Sequence, residues 1–124
     1  EPKLVLLDIK SANAFYKDFS DYRLWMSLAQ QKLEPSIGDY DAAIDYLRNG
    51  IRQIPCCYTL LYNYATVNEN VRNFTIAIRY FKYAQIMRPD CTDPFYGEAI
   101  ACFKTGQYEE SLAAIQKAIA ICSA

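Results

Sequence analysis

Residues 94–112 read Pro94-Phe95-Tyr96-Gly97-Glu98-Ala99-Ile100-Ala101-Cys102-Phe103-Lys104-Thr105-Gly106-Gln107-Tyr108-Glu109-Glu110-Ser111-Leu112. Two helical stripes flank Gly106 in this stretch. Phe95, Ala99 and Cys102 recur at steps of four and three, and Tyr108, Ser111, Ile115 and Ala118 continue the same rhythm beyond it. Such steps put each set on one face of a helix. Asp93-Pro94 opens the first helix with a capping acid and a proline whose fixed φ suits a first turn. The stretch predicts a helix, a tight glycine turn and a second helix.

Working outward, the pattern recurs upstream. Tyr40, Phe74 and Tyr108 are spaced by 34 residues, as are Ala43, Ala77 and Ser111. Leu47, Phe81 and Ile115 supply a large residue at the next step, and Gly50, Ala84 and Ala118 a small one. Small residues belong where helices approach closely, and large ones fill the gaps between. Pro55 and Pro89 keep the period and end helices, because proline lacks an amide proton and restricts the residue before it. The earlier helix of each block carries Trp25, Leu28 and Ala29, then Leu61, Tyr64 and Ala65, then Phe95, Ala99 and Cys102. Gly38 and Gly106 mark the turns of the first and third hairpins, and Arg72-Asn73 that of the second. A period in this range is the mark of stacked supersecondary units. Two extra residues around 33–37, including Pro35, predict a longer or bent first turn.

In these residues the chain resembles the tetratricopeptide repeat family, over about 22–123. The departures are local. The family's first-helix glycine is Ala29, Ala65 and Ala99, its tyrosine is Asn68 in the second repeat, and Ser111 replaces an alanine. The resemblance implies an all-α fold, a right-handed α-solenoid of antiparallel helix-turn-helix repeats. It divides a single domain into an N-terminal capping helix or degenerate half-repeat (1–21), repeat 1 with its two-residue insertion (22–57), repeat 2 (58–91) and repeat 3 (92–124). Leu4, Leu7, Ala14 and Phe15 suggest a helix over 4–18, with Ser20 or Asp21 capping the next. The chain begins at Glu1 and reads as a piece of a longer protein. No polar cap follows the third repeat, so self-association through that end is expected.

The resemblance also implies a binding groove, lined by the first helix of each hairpin, for an extended peptide or a partner's helix. In this chain the lining is Arg23, Met26 and Gln30, then Tyr62, Asn63, Thr66, Glu69 and Asn70, then Asp93, Tyr96, Ile100, Phe103 and Lys104. Asn63 matches a family position that contacts the ligand backbone, and a carboxamide offers a donor and an acceptor as a peptide bond does. Tyr62 and Tyr96 offer large, rigid surfaces. The plain packing alternative is that both tyrosines rest on a neighbouring hairpin, and that Ile100 and Phe103 lie under a further helix. Family members that clamp acidic chaperone tails surround the terminal carboxylate with lysines, arginine and asparagines; at the matching positions Met26, Gln30, Asn63, Asp93 and Gly97, only the asparagine remains. Asp93 would repel a carboxylate, so a chaperone C-terminal tail is disfavoured. Tyr46, Tyr80 and Tyr83 are expected as exposed packing residues on the second helices.

Composition narrows the chemistry. The 124 residues carry 13 basic and 14 acidic side chains, no histidine, and 52% apolar residues, which favours a packed core. Without histidine the commonest general base and zinc ligand are gone. No glycine-rich phosphate loop or nucleophile–base pair is present, so the expectation is a non-enzyme without cofactor or metal. A charge of −1 with acids interleaved among Arg48, Arg52, Arg79, Lys82 and Arg88 argues against nucleic acid. No apolar run is long enough for a membrane span. Cys56, Cys57, Cys91, Cys102 and Cys122 lack metal-ligand spacing and read as reduced thiols in a cytoplasmic, reducing compartment. The expected function is a protein-interaction scaffold or adaptor. The alternative is a recruiting or autoinhibitory arm of an attached or associated enzyme.

Overall fold

The computed structural model describes residues 21–123, and the helix expected over 4–18 lies outside them. The described chain is helical: α1 (Asp21–Leu33), α2 (Tyr40–Gln53), α3 (Tyr58–Asn70), α4 (Phe74–Met87), α5 (Asp93–Lys104) and α6 (Tyr108–Ser123). No strand occurs among the described residues.

One turn recurs three times. Gly38, Arg72 and Gly106 have φ of 58°, 70° and 80°, each in the left-handed region and each 34 residues from the next. The residue after each donates its backbone N–H to the end of the helix before: Asp39 to Lys32 O, Asn73 to Asn68 O and Gln107 to Cys102 O, all at 2.8 Å. The acceptors are equivalent in the repeat, so the two extra residues of the first hairpin are taken up between Lys32 and Asp39. There the chain makes a further turn, with Ile37 and Gly38 both donating to Glu34 O. Asn68, where the family has tyrosine, is buried and also accepts from Asn73 Nδ2 at 3.2 Å, which ties the second turn from both sides. Asp39 caps α2 through a bond from Ala42 N–H at 3.1 Å.

The joints between hairpins are equally regular. Ile54 and Arg88 cap α2 and α4 with φ/ψ of −130°/78° and −138°/82°. Both precede proline, which excludes the helical region for the residue before it. Cys57 and Cys91 then donate their backbone N–H groups to the carbonyls of Ile54 and Arg88. The end of the second joint differs from expectation by one residue: Thr92 is the N-cap, and Asp93 is the first residue of α5 with Pro94 behind it. Asp93 still sits at the positive end of the helix dipole.

The chain packs as two compact units that divide within α3, between Tyr64 and Ala65. In the first, α1 packs on α2, and Ala29, Ala43, Leu47, Ile51, Leu60 and Leu61 form the core. Gly50 lies at a close approach: a Cβ there would stand 2.9 Å from Trp25 Cβ and 3.1 Å from a Leu60 methyl. In the second unit α5 packs on both α4 and α6, around Ala77, Phe81, Ala84, Ala99, Ala101 and Cys102. A Cβ on Gly97 would overlap the Phe81 ring. Gln85 Nε2 donates to the Glu98 carboxylate at 2.6 Å, and Ser111 Oγ donates to Ala99 O at 2.7 Å. Serine at the family's alanine position thus bridges the two helices of its hairpin. Tyr80, expected on the surface, is buried and meets Tyr83 edge-on at 5.1 Å, because tyrosine brings enough apolar ring to serve as core.

Arg72 is the one non-glycine residue at a left-handed turn among the described residues, and its guanidinium lies 5.4 Å from the centroid of the Phe74 ring. Arg72→Gly and Arg72→Ala both lose that contact, but only glycine relieves the backbone. Urea unfolding should find Arg72→Gly more stable than Arg72→Ala by about 1 kcal/mol. Equal stability would contradict the strained turn.

Candidate functional site

Helix α3 is apolar on most of its circumference. Leu60, Leu61, Tyr64, Ala65, Val67 and Asn68 are buried, whereas Tyr62, Asn63, Thr66, Glu69 and Asn70 are not. The second set recurs at steps of three and four and forms one accessible strip. Asn63 and Tyr62 stand in the first unit, Thr66, Glu69 and Asn70 in the second. Asn63 Nδ2 donates to Thr59 O of its own helix at 2.7 Å. That bond spends one of the amide's two donors and restrains the side chain, so the carboxamide is less versatile than expected but better oriented. The Tyr62 ring stacks on Tyr58 at 5.8 Å and 8° within α3.

On α5, Tyr96 and Phe103 are 58% and 62% exposed and Ile100 is half-buried between them. They face away from the core because Gly97 and Glu98, their neighbours in the helix, are committed to Phe81 and Gln85. Phe103 leans edge-on against Tyr108 at 5.4 Å, across the third hairpin turn. Lys104 Nζ reaches Glu69 Oε2 at 2.8 Å and so links the ends of α5 and α3 within the second unit. Asp93 is exposed at the start of α5. On α1, Arg23 and Gln30 are exposed and Met26 is half-buried. The Arg23 guanidinium lies 5.9 Å from the Tyr22 ring centroid.

Two apolar features escaped the sequence reading. Leu24 on α1 and Leu112 and Ile119 on α6 are exposed. Beside Ile119 lies an open cleft of about 460 Å³, between the start of α5 and the end of α6, bordered by Thr92, Tyr96, Ile115 and Cys122. The repeat register held the signal, since Leu60, the equivalent of Leu24 in the second hairpin, and Ile51, the equivalent of Ile119 in the first, are core residues. Among the described residues no cluster of Cys, Asp and Glu has the geometry of a metal site, and no helix is long and apolar enough to cross a membrane.

A model of the tetratricopeptide repeat family matches residues 95–124, the third hairpin. No curated protein matches the chain in sequence. Solved structures share its fold. A structure of MamA (MSR-1) is 20% identical with a TM-score of 0.74, over 88% of this chain and 64% of that one. The second TPR of Spaghetti (RPAP3), bound to the HSP90 peptide SRMEEVD, is 15% identical with a TM-score of 0.71, over 91% of this chain and 99% of that one. The Sgt2 TPR domain from Aspergillus fumigatus is 15% identical with a TM-score of 0.68, over 99% and 73%. Against the MamA structures this chain spans between 54% and 72% of their length. These likenesses establish the fold: helical hairpins of the tetratricopeptide type.

Cys56 and Cys102 carry no sign of nucleophilic activation. Burial, then the Glu98 carboxylate, pushes the Cys102 thiol up, with Lys82 opposing. Burial, then Cys57, pushes up Cys56. A reactive cysteine needs the opposite shift. None of the five forms a disulfide, and Cys122 is exposed. Iodoacetamide near neutral pH, followed by mass spectrometry, should label Cys122 first and Cys102 at least about tenfold more slowly, at the rate at which the core opens. Equal rates would contradict the buried placement of Cys102.

Proposed function

We propose that this chain, with tetratricopeptide-type hairpins and a family match at 95–124, is a protein-interaction module that binds a partner's peptide or helix through its first helices. The accessible strip of α3 carries the proposal. Beyond its first two residues that helix is buried except along Tyr62, Asn63, Thr66, Glu69 and Asn70, the residues that the family resemblance implies for a groove.

The chemistry suits a peptide backbone with side chains to hold. Asn63, restrained by its bond to Thr59 O, presents an acceptor to a backbone N–H at little further entropic cost. Thr66 and Asn70 add short polar groups along the same strip. Tyr96 and Phe103 supply wide surfaces for apolar side chains. Glu69 and Lys104 neutralise each other, so recognition at that end rests on shape and hydrogen bonds more than on charge. Asp93 and the lack of a basic cluster count against an acidic chaperone tail as partner, unlike the peptide in the RPAP3 structure. No separate observation favours an enzyme-regulating arm.

Selection from a displayed peptide library against the 124-residue chain supplies a ligand with which to test the face. Tyr96→Ala and Asn63→Ala should each weaken the selected peptide by about 5- to 30-fold, or about 1–2 kcal/mol. Helicity should hold, because neither side chain is in the core. Unchanged affinity in both variants would overturn the assignment of the face.

A further inference from the structure

The repeat register gives every residue of α1 and α6 an equivalent whose surroundings are known. On α1, Leu24, Ser27 and Leu28 correspond to Leu60, Asn63 and Tyr64 of α3, and to Pro94, Gly97 and Glu98 of α5. Leu60 and Pro94 are fully buried, each against the helix before it: Leu60 beside Gly50 of α2, and Pro94 with its carbonyl accepting from Gln85 of α4. Leu24 in the same place is 56% exposed. On α6, Leu112, Ile115, Ala118 and Ile119 correspond to Ile44, Leu47, Gly50 and Ile51 of α2. Those four are buried, whereas Leu112 and Ile119 are 58% and 59% exposed. The outer face of α6 is therefore of the kind that α3 covers on α2, and the outer face of α1 is of the kind that does the covering.

We infer that copies of this chain stack head to tail, α1 of one seated on α6 of the next in the register that α5 takes on α4. The pairs that would meet match in size and polarity. In the α4–α5 contact the bulky Phe81 faces bare Gly97, and the polar Gln85 bonds to Glu98. Translated through the register, the smaller Ile115 faces Ser27, which has room for a hydroxymethyl group, and apolar Ile119 faces apolar Leu28. Bulk falls on one side as it rises on the other, and the polar pair becomes an apolar pair. Leu24 takes the place of Leu60, opposite Ala118. The cleft beside Ile119 continues this surface. Exposed apolar side chains grouped on one face, as Leu112 and Ile119 are, mark association surfaces. Because the contact joins two different faces, each added copy presents a free face to the next.

Sedimentation velocity across a dilution series of the 124-residue chain tests this, with the 14.2 kDa monomer as reference. The wild-type mass should rise with concentration beyond a dimer. Leu24→Glu and Ile119→Glu, both in solvent in the single copy, should each weaken association at least about 100-fold and sediment as monomers, since a buried unpaired charge is costly. Circular dichroism verifies that both fold. Mixed together, the two variants should recover a dimer and nothing larger, because each retains the face the other has lost. A wild-type chain that stays monomeric at its highest soluble concentration would overturn the inference. So would a Leu24→Glu variant that still dimerises, which points to α6 meeting α6, or a mixture that remains monomeric.

Discussion

Where α5 crosses α4, the Phe81 ring lies against the bare Cα of Gly97, with no room for a methyl group between them. Burying that ring contributes about 1.5–3 kcal/mol, and the contact also fixes how α5 is turned about its axis. With Gly97 and Glu98 turned inward, Tyr96, Ile100 and Phe103 have to face out. Gln85 holds the same rotation through Glu98 and the Pro94 carbonyl, and Ser111 holds it from the far side through Ala99 O. In the first unit Gly50 serves α2 likewise, between Trp25 and Leu60. The exposed chemistry is thus a consequence of packing at glycine and alanine positions that touch no ligand.

The same turn recurs within each hairpin. A left-handed residue followed by a backbone N–H that reaches back to the preceding helix recurs at Gly38-Asp39, Arg72-Asn73 and Gly106-Gln107. Each turn reverses the chain within a few residues, and across the first and third of them α2 packs on α1 and α6 on α5. The two additional residues of the first hairpin are absorbed before that bond, so α2 enters in the common register. Loops tolerate such insertions because the added closure entropy is small.

Much of this was legible in the amino-acid order. The turn positions, the helix ends at Pro55 and Pro89 and the longer first turn follow from backbone restrictions that act locally. So does the division of each first helix into a core face and an accessible face, which rests on spacing alone. What the order could not convey are choices made by one side chain among several satisfied alternatives. Asn63 bonds to its own helix rather than standing open, Asn68 is buried because Asn73 completes it, and Tyr80 turns inward where the spacing allowed either. Asp93 and Thr92 differ by one residue in the capping role, since helix ends are set by marginal energies. The unmatched faces of α1 and α6 emerge only when burial is compared between equivalent positions.

Close approach at small residues sets the geometry, and Gly97→Ala removes it at its tightest point. On an open helix surface alanine would stabilise by about 1 kcal/mol relative to glycine. Urea unfolding should instead find Gly97→Ala destabilised by about 1–3 kcal/mol, with a smaller loss when Phe81 is first shortened to leucine. A Gly97→Ala chain more stable than wild type, with no dependence on residue 81, would contradict the account.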